Sequence, residues 1–287
     1  MTTRPDARGV SRRAATIALH AAGLLAACTL AATPAAALNF FELEVYPATT
    51  EGKGLHEIEN LTTFVPNGRD PSEEEREGEE RRRHRLLRSS FEYNYGLTDK
   101  IDIAAYVDLV RQNANEFEYA GARARVRGAV FDKGRYFLDL GWYFEAEMPH
   151  NEESDLELEF RPIVSKDVGP LSFDLNPIFE LPTVSEERRT IEFNYAARVY
   201  WRVSRDFQPG VEFYGDIGQI RDVDPSREQE HYVFPMLYGR AFFPGFKFQL
   251  GPGFGLTRNS DPVILKALIE YEFSPGGGVA PPPRPTY

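Results

Sequence analysis

Three arginines stand at alternate positions in "YAGARARVRGAV", residues 119–130: Arg123, Arg125 and Arg127. In an extended strand successive side chains point to opposite faces, so this spacing gathers three guanidiniums on one side. Ala120, Ala122, Ala124 and Val126 take the other side. The preceding alternating run carries Asp102 and Asp108, and the following one carries Asp139, Glu145 and Glu147. Later runs add Glu157, Glu159, Arg161, Glu192, Arg198, Arg202, Glu212 and Asp216. Opposite charges facing each other across strands attract, and the planar guanidinium suits two-point pairing with a carboxylate. The chemistry on offer is ion pairing along a polar wall. Such a wall either lines a path for small solutes or closes that path with its own pairs.

Bond-making chemistry finds little support. A hydrolase needs a nucleophile, a base and an orienting group converging on one place. His56, His84, His150 and His231 are scattered, and neither Ser154 nor Ser226 stands at a spacing that singles out a triad. His150 with Glu152 and Glu153 offers one imidazole in an acidic loop, a poor metal site. Glu157 and Glu159 share a strand face and suit arginine partners better than an acid/base couple. "GPGFG", Gly251–Gly255, lacks the following Lys-Ser/Thr and helix of a phosphate loop, so its glycines are expected to permit a bend in a strand. No residue is assigned a catalytic, cofactor-binding or metal-binding role, and the expectation is a non-enzyme.

The elements that hold these charges are alternating strands from end to end. "FELEVY", "RSSFEYNYG", "KIDIAAYVDLV", "RYFLDLGWYFEAEM" and "IEFNYAARVYWRV" each place apolar residues on one side and polar residues on the other. The closing run "VILKALIEYEF" does the same, with Lys266, Glu270 and Glu272 opposite Leu265, Ile269, Tyr271 and Phe273. A soluble sandwich also alternates. Here the runs reach about 9–13 residues, the length of a tilted strand that crosses a bilayer, against about 5–6 in soluble domains. Connections alternate too. "GLTDK", "FDKG", "DVGP", "SRDF" and "FFPG" are tight, whereas "RQNANEFE", "PHNEESD", "PTVSEERR", "RDVDPSREQE" and "TRNSDP" are longer and polar. The fold class expected is all-β, a transmembrane antiparallel up-and-down barrel of about twelve strands over residues 38–273. Apolar sets face lipid, because an Arg or Lys there would cost about 2–4 kcal/mol at mid-depth. "FELEVY" makes a thirteenth candidate strand, read as an extension of its neighbour or a periplasmic arm. Tyrosines near strand ends suggest interfacial girdles.

The ends of the chain read differently. Arg4, Arg8, Arg12 and Arg13 precede the apolar "AATIALHAAGLLAACTLAA", and "PAAALNF" supplies small residues for cleavage after Ala37, the pattern of a signal peptide over residues 1–37. "LAAC" ending at Cys28 leaves open processing as a lipoprotein, and "SRR" is a partial twin-arginine pattern. Cys28 is the sole cysteine, so cleavage after Ala37 leaves no thiol. Losing four arginines and one aspartate from 33 basic and 44 acidic residues leaves 29 against 43, a net charge near −14. A surface of that sign excludes nucleic acid as a partner. Residues 67–85 form a charged loop whose Arg81, Arg82, Arg83 and Arg85 offer a lipopolysaccharide contact or simple solvation. Residues 274–287 form a Pro/Gly-rich tail.

On the leader, the strand–turn–strand unit "YGLTDK" (residues 95–100) and the closing "IEYEF" (residues 269–273), the chain resembles bacterial outer-membrane β-barrel proteins. The "YGLTDK" turn is similar in style to channel-like barrels grouped with phenol-degradation gene clusters. The resemblance implies residence in a Gram-negative-type outer membrane, contact with its lipid and lipopolysaccharide, and insertion by the barrel-assembly machinery. It transfers no substrate and no site residue. The function expected is a narrow channel for small solutes. The alternatives are a plugged structural or surface-interaction barrel and, third, an outer-membrane lipid-modifying enzyme.

Overall fold

The alternation seen in the sequence becomes a closed ring of strands. The computed structural model describes residues 42–69, 83–112, 116–149, 156–182, 190–204, 206–240 and 243–275, all within one compact unit, Ala36–Tyr287. The leader expected over 1–37 with Cys28, loop residues 70–82, His150 with Glu152, Glu153 and Ser154, and the tail beyond 275 lie outside the described residues. The strands are β1 (His56–Val65), β2 (Leu86–Thr98), β3 (Ile101–Gln112), β4 (Glu118–Ala129), β5 (Asp139–Pro149) and β6 (Glu157–Val168). They continue with β7 (Leu171–Pro182), β8 (Glu192–Trp201), β9 (Gln208–Gln219), the two-residue β10 (Asp222–Val223), β11 (Glu230–Arg240), β12 (Phe246–Gly255) and β13 (Val263–Phe273).

Each long strand pairs antiparallel with its neighbours in the chain, and β13 pairs with β1, His56 opposite Phe273 and Phe64 opposite Leu265. β10 is a stub paired only with the end of β9, so the ring has twelve staves. Closure leaves no unpaired edge, the condition for a sheet to stand in hydrocarbon. All twelve staves have 10–13 residues.

The two faces separate as the alternation requires. On β13, Leu265 and Ile269 are 46% and 44% exposed, while Lys266 and Glu270 are 2% and 8%. Outside, Phe144, Phe160, Phe179 and Phe193 lie directly across from one another on β5–β8, ring centres 4.6, 6.4 and 5.3 Å apart in succession. Such cross-strand aromatic contacts are units of sheet stabilisation.

Two expectations are corrected. Residues 42–55 form no strand: residues 42–48 run through the barrel interior, and residues 49–55 lie against the β2–β3 turn at its short-turn end. Leu43 and Val45 are 0% and 1% exposed and pack with Ile178, Tyr232, Phe234 and Ile264. Their backbone finds side-chain partners instead of a ladder. Tyr46 N–H donates to Asn176 Oδ1 (2.7 Å), Asn176 Nδ2 donates to the Tyr46 carbonyl (2.9 Å), and Ala48 N–H donates to Ser165 Oγ (2.8 Å). Alternation is satisfied equally well by a segment threading a lumen whose wall is part apolar and part charged. The second correction concerns "FDKG", which belongs to a nine-residue connection, 130–138, rather than a tight turn. Asp139 holds it by accepting from Gly134 N–H (2.6 Å), and Phe131 meets Tyr136 edge-on.

A charged lumen closed by the N-terminal arm

β4 aims Arg123, Arg125 and Arg127 into the barrel, where each is at most 5% exposed. Arg123 reaches Asp108 of β3 (2.8 Å), Glu145 of β5 (3.3 Å), Ser90 of β2 (2.8 Å) and Glu42 of the arm (2.5 Å). Arg125 pairs with Asp102, with Glu92 of β2 (2.5 Å) and with the Tyr106 hydroxyl (2.5 Å). Arg127 closes on Asp102 with contacts of 2.8 and 3.1 Å. On β6, Arg161 grips Glu159 (2.6 and 2.8 Å) and Glu42 (3.1 Å). The ring of Tyr46 sits amid these guanidiniums, 5.1 Å from Arg127, 5.3 Å from Arg161 and 5.5 Å from Arg125. Cations over an aromatic face gain most where water is absent.

The arm therefore supplies a counter-ion to the wall and fills part of the lumen. Glu42 bridges Arg123 and Arg161, which lie on different staves. Lower down, Glu51 N–H donates to Asp102 (3.1 Å), and Gly54 N–H donates to the Gly96 carbonyl (2.7 Å). A cavity of about 10 Å³ remains between arm and wall, lined by Glu42, Glu44, Tyr46, Glu59, Glu92 and Tyr106. That is room for about one water molecule.

Of the residues expected in the lumen, Arg123 pairs with Asp108 and Glu145, Arg125 and Arg127 pair with Asp102, and Tyr106 touches both groups through Arg123 and Arg125. Glu147 shares their face, opposite Arg123 in register, farther toward the long-loop end. Asp139 is buried but serves the 130–138 connection. Arg198 belongs to a separate pair with Asp174 (2.7 Å), between the rings of Tyr200 and Tyr238. Arg202 pairs with Asp167 (3.0 Å) at the short-turn end, partly exposed. Arg83, expected on a surface loop, instead turns to Glu230 (2.7 Å) and Asp261 (3.1 Å) at the barrel rim. Arg81 and Arg82 lie outside the described residues.

Sequence reasoning missed Glu42 and Asn176 as residues that join arm to wall, and it read Tyr46 and Tyr232 as interfacial-girdle tyrosines, whereas both are buried inside the barrel. The signal was present in the error-free alternation of "FELEVY", but it was spent on a strand. Missed too was the pair Lys266–Glu212 (2.7 Å), fully buried across the barrel from β13 to β9. His231 is engaged by Tyr195 (3.1 Å) and Gln229 (2.9 Å), and no serine hydroxyl meets its ring among the described residues.

No family model and no curated protein sequence matches the chain. Among solved structures it is similar to a crystal structure of the COG4313 outer membrane channel from Pseudomonas putida F1, with a TM-score of 0.53 and 11% identity over 80% of this chain and 100% of that one. At that identity the likeness is one of architecture: the chain has the closed antiparallel β-barrel fold of an outer-membrane channel.

Proposed function

We propose that the protein is an outer-membrane barrel through which small solutes pass when its N-terminal arm leaves the lumen. The observation that carries this reading is the nature of the stopper. The interior is closed by a terminal segment held through hydrogen bonds and ion pairs, not by the wall alone. Such contacts break and reform without disturbing the ladder. Carboxylates outnumber cations around the described lumen, so the open path favours cations. Export by the leader, residence among outer-membrane lipid and lipopolysaccharide, and insertion by the barrel-assembly machinery complete the reading. The likeness to a channel supports it. The same full lumen favours a second reading, a permanently plugged structural barrel.

A cysteine pair separates the two. Ala48 N–H lies 2.8 Å from Ser165 Oγ, so the two positions are neighbours, and an Ala48→Cys, Ser165→Cys pair whose disulfide is verified by thiol titration ties arm to wall. Processed protein bearing this pair should be silent in planar bilayers when oxidised and should show discrete cation-selective openings after reduction. Silence in both states, together with silence of a variant lacking residues 42–52, removes the channel reading and leaves the plugged barrel.

A further inference from the structure

The lumen face of β5–β8 carries a row of like charges. Glu145 stands opposite Glu159, Glu159 opposite Glu180, and Glu180 opposite Glu192. One step nearer the long-loop end, Glu147 stands opposite Glu157. Like charges directly across from each other destabilise a sheet unless something lies between them. Arg123 reaches Glu145 and Arg161 grips Glu159, so guanidiniums serve one side of the row. Toward β8, among the described residues, no guanidinium pairs with Glu180 or Glu192. Glu180 lies within 4.8 Å of Glu159 and of the arm's Glu42, and its contact on β8 is an amide, Asn194 Nδ2 at 2.9 Å.

Asn194 supplies an independent observation. It is 4% exposed, and among the described residues its Oδ1 has no hydrogen-bond donor although the other end of the same amide touches Glu180. A buried carbonyl oxygen without a partner carries the full cost of lost hydration. The amide lies against Glu180, so its orphaned oxygen stands beside the same carboxylates, and carboxylate and amide oxygens are the ligands of a hard cation. Ca²⁺ takes six to eight oxygens from carboxylates, amides and water in flexible geometry, and Mg²⁺ takes oxygens in a stricter octahedron. Among the described residues no nitrogen or sulfur ligand stands in this patch, which argues against zinc.

We infer that this end of the lumen binds a divalent hard cation, Ca²⁺ in preference to Mg²⁺, through Glu180 and Asn194 Oδ1, with Glu157, Glu159 and Glu42 beside them. The preference rests on ligands drawn from two staves and the arm, an arrangement too irregular for a strict octahedron. Because Glu42 belongs to the arm, the cation also ties the arm to the wall. The binding site stands on the row of carboxylates and the orphaned amide, independently of whether the barrel conducts.

Calcium chloride titrated calorimetrically into the detergent-solubilised, chelator-stripped protein tests this. Saturable uptake is expected, tighter for Ca²⁺ than for Mg²⁺, with a rise in unfolding temperature that ionic-strength-matched NaCl does not reproduce. Glu180→Gln and Asn194→Leu should each weaken uptake by at least about 10–100-fold, the cost of losing even a group that only orients a metal ligand. Asn194→Asp, which keeps the oxygen, should retain it. Circular dichroism and heat-modifiable gel mobility verify that each variant is a folded barrel, and Asn194→Asp keeps the comparison open should Asn194→Leu fail to fold. Absence of saturable Ca²⁺ uptake overturns the proposal, and so does uptake that all three variants leave unchanged. Conductance is not read, so failure here leaves the channel reading standing, and failure there leaves this one.

Discussion

Arg125 shows how much a single side chain is asked to do inside this barrel. It is 4% exposed and satisfies Glu92 and Asp102 on two staves while stacking near Tyr46, Tyr106 and Tyr143. Its removal leaves two carboxylates buried with fewer partners, and breaking a buried pair from one side costs about 3–5 kcal/mol. Arg125→Met should therefore lower stability by that order in urea unfolding from detergent micelles. Arg125→Lys should recover only part, because a point charge cannot serve three partners from one plane. Equal stability of Arg125→Met and the parent would show that water, not Arg125, solvates Glu92 and Asp102. The pairing of Arg123, Arg125 and Arg127 with Asp102 and Asp108 was legible from spacing, since neighbouring strands must bring opposite charges to the same face. The contact with Glu42 was not, because nothing local says that a segment 81 residues upstream returns to the same arginine.

At the scale of elements, β12 shows what its glycines make room for. They were expected to bend a strand. Gly253 keeps register with Ile264 of β13, the pairing with β11 lapses between Phe254 and Leu250, and a β-carbon at Gly253 would stand 2.2 Å from the Phe234 ring. Phe234 points inward and is fully buried in the cluster that receives Leu43 and Val45, so the glycine makes room for a lumen aromatic. Gly253→Val should cost about 1–3 kcal/mol through overpacking. Adding Phe234→Ala should recover much of that cost, a coupling read from a double-mutant cycle of unfolding free energies. Additive losses would place the clash elsewhere. The strands themselves were readable because a period of two is a local property. The 130–138 connection was not, since its length is set by where Asp139 and Gly134 meet.

For the whole molecule, the orientation of the two faces decides everything else. Val107, midway along β3, is 47% exposed on the outer surface. If that surface meets hydrocarbon, Val107→Arg costs about 2–4 kcal/mol in vesicle-refolded protein, whereas a water-facing position would tolerate it nearly free of cost. Unchanged stability of Val107→Arg in bilayers would remove lipid from the outer face. The amino-acid sequence alone determined the all-β class, a count of about twelve staves, and the alternation that turns the charged set of most strands inward. Each of these follows from alternation and strand length, which neighbouring residues encode. Only the tertiary structure decided that the first alternating segment leaves the sheet and fills the lumen. A free ladder and a lumen wall both reward the same pattern of Leu43 and Val45 against Glu42 and Glu44. Choosing between them depends on the space inside a closed ring, and that space exists only after twelve strands have met.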